Sequence, residues 1–323
     1  MESVNVAMLG GPGAAELAGE IAKKGGETDM VQYNHKKGDR SLTLFVPAKY
    51  PEKIQGVSYC LQATEHVVLV VDALDRRLGE QIVAIDMTGR TQGFLLLRNY
   101  IQPEQVASLL AGTALEHYEV LDTEDPALLR ERFLELEPTH REGATRVDVD
   151  QHFNVKGVGT VVLGIVGRGS VEKHQELRAY PSTKRCTVRS IQVHDTDLPK
   201  ADTGARVGLA LKGIDSDDLD RGSILAPEGS LRVVTKGEGL NAQVRVPRFY
   251  KQGLRSDQVV HLGVGMQFLP ARLKIDGGSL EAGAKGLVTM MVANPLVVAP
   301  GDQVVLYSLD DPNLRVAGGA TVT

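Results

Sequence analysis

VNVAMLGGPGAAEL (Val4–Leu17) reads as an apolar strand, a glycine turn and the opening of a helix. A phosphate-binding loop in that setting has the pattern G-x-x-x-x-G-K-[ST]; its Lys neutralises the β- and γ-phosphates and its hydroxyl holds Mg²⁺. Counted from Gly10, the second glycine becomes Ala15, the Lys becomes Glu16 and the hydroxyl residue becomes Leu17. A carboxylate about 4 Å from a phosphate oxygen repels it by about 4 kcal/mol at an effective dielectric near 20, where Lys would attract it by as much. That reversal is large beside the roughly 8–12 kcal/mol of micromolar-to-nanomolar binding. Gly10, Gly11 and Gly13 could still present backbone N–H groups to an anion at a helix N-terminus. The plainer reading is a tight strand-to-helix turn, and Glu16 favours it.

Working outward, residues 1–140 alternate strands and helices. The helix Ala14–Lys23 carries Ala14, Leu17, Ala18, Ile21 and Ala22 at the spacing of one apolar face. Strands follow near Met30–His35 and Leu42–Val46, then a helix near Pro51–Thr64 and the fully apolar strand Val67–Val71. A helix near Arg76–Met87, the strand Gly93–Leu97, the helix Pro103–Ala111, the strand Tyr118–Leu121 and the helix Pro126–Leu136 complete the pattern. Continuous apolar strands predict a mostly parallel sheet with helices on both faces. The polar run EPTHREGA (Glu137–Ala144) reads as a linker. Beyond it helical patterns nearly vanish, and short β-rich runs between turn signals predict two all-β barrels, over 145–228 and 229–323.

Composition excludes several classes. No apolar run reaches the ~18 residues of a membrane span and no leader pattern opens the chain, so a cytoplasmic protein without membrane or DNA partners is expected. Two distant cysteines, Cys60 and Cys186, fit neither a disulfide framework nor zinc. The histidines lack HxH or HExxH spacing, so no metal site is expected. The acidic run Asp215, Asp217, Asp218 and Asp220 reads as a solvated turn with a capping role rather than a cation site. No nucleophile signature appears. The net charge of −5 rules out an overall basic character but not a local basic face.

Three segments carry a family resemblance: HFNVKGVGTVVLGIVGRGSV (His152–Val171), CTVRSIQ (Cys186–Gln192) and ARVGLALKGIDSDDLDRGSILA (Ala205–Ala226). They resemble the second domain of elongation factor Tu and, more closely, that of SelB. VHLGVGMQFLPA (Val260–Ala271) and PNLRVAGGA (Pro312–Ala320) are similar to SelB third-domain motifs. The resemblance implies a G-domain-like α/β domain followed by two barrels, without the C-terminal domain by which SelB reads messenger RNA. It also places the other nucleotide motifs, and they fail. Where the family has D-x-P-G-H the chain reads Val46-Pro47-Ala48-Lys49-Tyr50, so Val46, Lys49 and Tyr50 replace the Mg²⁺-linked Asp, the γ-phosphate Gly and the water-orienting His. Where N-K-x-D reads guanine, the chain has Arg98-Asn99-Tyr100-Ile101. The first switch is compressed into Gly25–Arg40. The resemblance therefore implies a pseudo-GTPase: GTP and Mg²⁺ absent, no catalytic residue. The weaker alternative is a non-standard GTPase that uses Lys49.

In the family, the second domain holds the aminoacyl end of tRNA. The resemblance places that pocket at Asp150, Gln151, Phe153, Val155 and Val158, with Arg189 and Arg206 nearby. Asp150 and Arg206 match the acidic–basic pair of SelB, while Gln151 stands where a second Arg is expected. The plainer reading is that these residues only close the barrel. Basic residues of the third domain, Arg232, Lys236, Arg245, Arg248, Lys251, Arg255, Arg272 and Lys274, could track an RNA backbone; with acidic residues interspersed, they also fit a normally charged barrel surface. Implied partners are aminoacyl-tRNA or the ribosome; the alternative is a protein module that regulates a translation factor.

Overall fold

The computed structural model describes residues 1–138 and 140–323. Its α/β part is a seven-stranded sheet: β1 (Glu2–Gly10), β2 (Lys23–Glu27), β3 (Met30–Lys37), β4 (Arg40–Pro47), β5 (His66–Val71), β6 (Gln92–Leu97) and β7 (Glu119–Val120), in the order β2-β3-β4-β1-β5-β6-β7. β4, β1, β5, β6 and β7 run parallel, and β2 and β3 add an antiparallel edge. The helices are α1 (Pro12–Ile21), α2 (Gln55–Gln62), α3 (Arg76–Thr88), α4 (Pro103–Leu110) and α5 (Pro126–Leu134). Leu17 and Ile21 of α1 join Leu129 and Phe133 of α5 on one sheet face. Val57, Ile82 and Val106 of α2, α3 and α4 cover the other. Both faces are buried, which is why β5 reads HVVLVV without alternation.

The second part is β8 (Arg146–Val155), β9 (Gly159–Arg168), β10 (Ser170–Glu172), β11 (Glu176–Tyr180), β12 (Arg185–Val193), β13 (Thr196–Leu198), β14 (Lys200–Asp202), β15 (Arg206–Lys212) and β16 (Ile224–Ala226). β11 pairs with both β16 and β12, which closes the sheet into a barrel around Val149, Val162, Val188 and Leu209. The third part is a closed barrel of Gly239–Arg245, Lys285–Val292, Gln267–Ile275, Val259–Val264, Gln303–Tyr307 and Val316–Thr321, in that spatial order. Closure leaves no free strand edge in the ring. No helix among the described residues is long and apolar enough to cross a membrane.

The three parts are packed on one another. Tyr307, Val305, Val316 and Met266 of the second barrel share the core of α2 and α3. Arg315 donates to Glu80 on α3 (Nε to Oε1, 2.9 Å) and to the carbonyl of Pro51 (2.8 Å). Gln62 at the end of α2 donates to the carbonyls of Gly263 and Gln303. Between the barrels, one guanidinium holds two carboxylates: Arg146 is 2.9 Å from Asp148 and 2.7 Å from Asp302. Burial alone would lower its pKa, but the two carboxylates outweigh it and raise it.

The element order agrees with the sequence pattern, with two differences. A hairpin spans Lys23–Lys37, starting at the residue expected to end the first helix, and its first strand, β2, has the sequence KKGGE and is exposed along its length. It carries no apolar signal; backbone pairing with β3 alone makes it a strand. α2 begins at Gln55, four residues after the proline expected to open it.

Candidate functional site

The C-terminal ends of β1, β5 and β6 meet at the expected nucleotide position. β1 ends at Gly10 and α1 begins at Pro12, so Gly11 alone connects them. A phosphate-binding loop needs several residues there to wrap around an anion with its N–H groups. Pro12 at the first helical position also removes one of the donors that a helix N-terminus would offer. Gly10 adopts φ +134°, and a Cβ there would strike the Val70 carbonyl, so close strand packing by itself requires a glycine at this position.

The space in front of α1 is taken by the chain's own charges. Asp72, at the end of β5, and Arg98, at the end of β6, lie against Gly11 and Gly13, and a Cβ on Gly13 would collide with both side chains. Arg98 Nη1 is 3.8 Å from Asp72, and Nη2 is 3.0 Å from Glu124. Asn99, at φ +53°, donates from Nδ2 to the Asp72 carbonyl (2.8 Å). Tyr100 follows at φ +62° and is 95 % exposed. The loop is short, so Glu16 falls in the second turn of α1, on its exposed side, while Leu17 is buried. The charge at the junction belongs to Asp72 and Arg98.

Val46 is buried in β4 and Lys49 is exposed. The Tyr50 hydroxyl donates to the Arg77 carbonyl (3.0 Å) and its ring lies under the Arg315 guanidinium, 5.8 Å away. Burial pushes the pKa of Tyr50 up. The acidic run forms a capped turn over Ser216–Asp218, where Asp215 N–H donates to the Asp218 carboxylate. Among the described residues no group of three His, Cys, Asp or Glu is arranged to hold a metal.

The second site lies between the α/β domain and the first barrel. Asp150 is buried on β8, with its side chain 0 % exposed. Its Oδ2 accepts from Arg206 Nη2 on β15 (2.7 Å) and its Oδ1 from Arg221 Nη2 (2.7 Å). Arg221 also donates to the Asp150 carbonyl (3.1 Å), to Thr28 Oγ1 (2.6 Å) and to Asp29 in the β2–β3 turn. Its guanidinium stacks 5.2 Å over the Tyr59 ring, and burial pushes that phenol up to about 12. Gln32 on β3 reaches Asp150 at 3.4 Å. Burial lowers the pKa of Arg206, with Asp150 opposing it. Gln151 faces β2, where a Cβ on Gly26 would stand 3.9 Å from it.

Asp150 and Arg206 are therefore brought together, but the β2–β3 hairpin covers them. Phe153, Val155 and Val158 lie at the far end of the β8–β9 hairpin, with Phe153 39 % exposed, and Arg189 is exposed where β12 bulges. Arg221, Asp29, Thr28 and Gln32 were not singled out in the sequence. Arg221 sits in the quoted run DLDRGSILA, but its partners Asp29 and Thr28 are 192 and 193 positions away in the chain, which no spacing rule reaches. In the second barrel, Arg245 pairs with Asp86 (2.9 Å) and Arg248 donates to the Ala111 carbonyl (2.7 Å), so both serve the α/β contact. Arg272 and Lys274 are exposed on their strand.

An α/β domain of this topology with two barrels defines a three-domain translation-factor fold. Residues 159–226 match elongation factor Tu domain 2. An uncharacterized protein of Methanocaldococcus jannaschii is 33% identical over 268 residues, covering 83% of this chain and 85% of that one. The selenocysteine-specific elongation factor of the same organism is 32% identical over 189 residues, covering 54% of this chain; the match spans 40% of that factor's length. The crystal structure of SelB from Methanococcus maripaludis with a GTP analogue superposes over 100% of this chain and 79% of that one, with a TM-score of 0.82 at 21% identity. The chain belongs to the SelB/elongation factor Tu-like family of translational GTPases.

Proposed function

We propose that this chain is a translation-factor-like protein that acts without GTP, its α/β domain serving as a fixed scaffold for two barrels that contact tRNA or the ribosome. The single observation behind this reading is the strand-to-helix junction: one connecting residue, with the Asp72–Arg98 pair lying against Gly11 and Gly13. A triphosphate seated there would displace both side chains and meet the Asp72 carboxylate, a repulsion of several kcal/mol. Titration of fluorescent GTP and GDP with Mg²⁺ tests it. No binding in the micromolar range is expected, and Mg²⁺-dependent micromolar binding would refute the proposal.

The covered Asp150–Arg206 pair favours a second reading, in which the barrels grip a macromolecule without reading its aminoacyl end. Filter binding with charged and uncharged tRNA, and with ribosomes, separates the two. Preference for charged tRNA requires the hairpin to lift. Equal, salt-sensitive retention of both tRNAs supports contact with the RNA body alone. Retention of neither tRNA nor ribosomes leaves a protein partner, as in a regulator of a translation factor.

A further inference from the structure

At the opposite end of the parallel sheet from Gly10, all three parts of the molecule meet around a partly enclosed cavity of about 220 Å³. Asn5 comes from β1, Glu65 and Arg90 from the ends of α2 and α3, Arg146 and Arg168 from the first barrel, and Asp302 from the second. We propose that this cavity is a binding site for a small oxyanion that also carries an O–H donor, such as hydrogen phosphate or a hydroxycarboxylate.

The charge balance comes first. Four guanidinium groups (Arg90, Arg141, Arg146, Arg168) face three carboxylates (Glu65, Asp148, Asp302), which leaves one positive charge in excess. The excess is localised. Arg146 is fully used, with Nε and Nη2 on Asp148 and Nη1 on Asp302. Arg90 and Arg141 share the single carboxylate of Glu65. Arg168 donates only to the Pro300 carbonyl (3.2 Å) among the described residues. A guanidinium has five donors, so three arginines on this side keep donors to spare for an anion's oxygens.

The donor requirement comes from Asn5. It is 1 % exposed, and its Nδ2 is committed to the Gly204 carbonyl (2.7 Å). That fixes the amide orientation and leaves Oδ1, a buried acceptor in the cavity wall, with no hydrogen-bond partner among the described residues. Buried acceptors are rarely left unpaired, and an unpaired one is costly. An anion with only acceptor oxygens would leave Oδ1 unpaired; one with an O–H satisfies Oδ1 and the arginines together. Glycine lets the Arg146–Asp148 pair seat in the wall: a Cβ on Gly265, at φ +54°, would meet Asp148 and Arg146, and one on Gly167 would meet Asp148.

The test uses matched pairs on the full chain: phosphate against sulfate, and glycerate against propionate, at equal ionic strength and neutral pH. Thermal shift and equilibrium dialysis with labelled phosphate are the readouts. The donor-bearing member of at least one pair should raise the Tm, its partner markedly less. Arg168→Gln, which disturbs only one surface contact, should weaken that binding about tenfold, the loss of one charge-assisted hydrogen bond. Asn5→Ala should erase the difference within the pair. Equal shifts within both pairs, no shift with any probe, or unchanged affinity of Arg168→Gln for the responding anion would each overturn the proposal.

Discussion

Asp150 shows what a single side chain decides in this protein. Its buried carboxylate stands between Arg206 and Arg221 and pairs with both, so it joins a strand of the first barrel to the β2–β3 turn. Removing it leaves two largely buried cations facing each other. Asp150→Ala is expected to cost about 3–5 kcal/mol of stability, the range for breaking a buried pair, read as a fall in urea midpoint. Adding Arg206→Ala to it should cost less than the two single changes together, because the second removes an already unpaired charge. At the same scale, burial pushes the Cys186 thiol up to about 11 and the Cys60 thiol well above its ordinary value. The thiolate is the reactive form, so both should resist a thiol reagent in native protein at pH 8 and react once unfolded. Single residues were also where the sequence was least legible. Substitutions at Val46 and Arg98 could be located by motif spacing, but that Arg98 would meet Asp72 and Glu124 depends on three loop conformations.

Among the elements, the β2–β3 hairpin departs most from the pattern legible in the sequence. β3 buries Met30, Val31 and Tyr33 and pairs on both sides, with β4 along eight residues. β2 has no buried residue and only one neighbour. Hydrogen exchange should therefore show slow amides in β3 and fast ones on the outer edge of β2, and GTP with Mg²⁺ should change neither. A nucleotide-dependent gain in protection over Lys23–Lys37 would mean that this segment still behaves as a switch. Elements with a strong period, such as β5, α3 and the barrel strands, were legible because burial on one or two faces writes itself into residue spacing. β2 was not, since a strand held only by backbone pairing at a sheet edge leaves no such imprint.

Across the whole molecule, cores and ion pairs continue through the junctions rather than stopping at them. Cys60 lies in the core shared with the second barrel, and Cys186 lies inside the first. If the parts unfold as one cooperative unit, both thiols should become reactive at the same urea concentration. Two separated labelling midpoints would show that the barrels and the α/β domain melt independently. The order of the three parts could be read from the sequence through its change from helical to short β-rich patterns. Their mutual seating could not, because Arg315–Glu80, Arg221–Asp29 and Arg146–Asp302 each join residues more than 150 positions apart.

The shared grip of Arg146 on Asp148 and Asp302 bears on how the molecule would meet a large partner. Two modules on a slack tether must be aligned each time they engage, and the freedom they surrender weakens the encounter. Here a planar cation forked between two acids, with Tyr180 and Ile224 packed on Val297 beside it, sets the spacing of the barrels in advance. A partner that spans both finds its two footholds already at a fixed distance, and the gap between them acts as a ruler for what can be held.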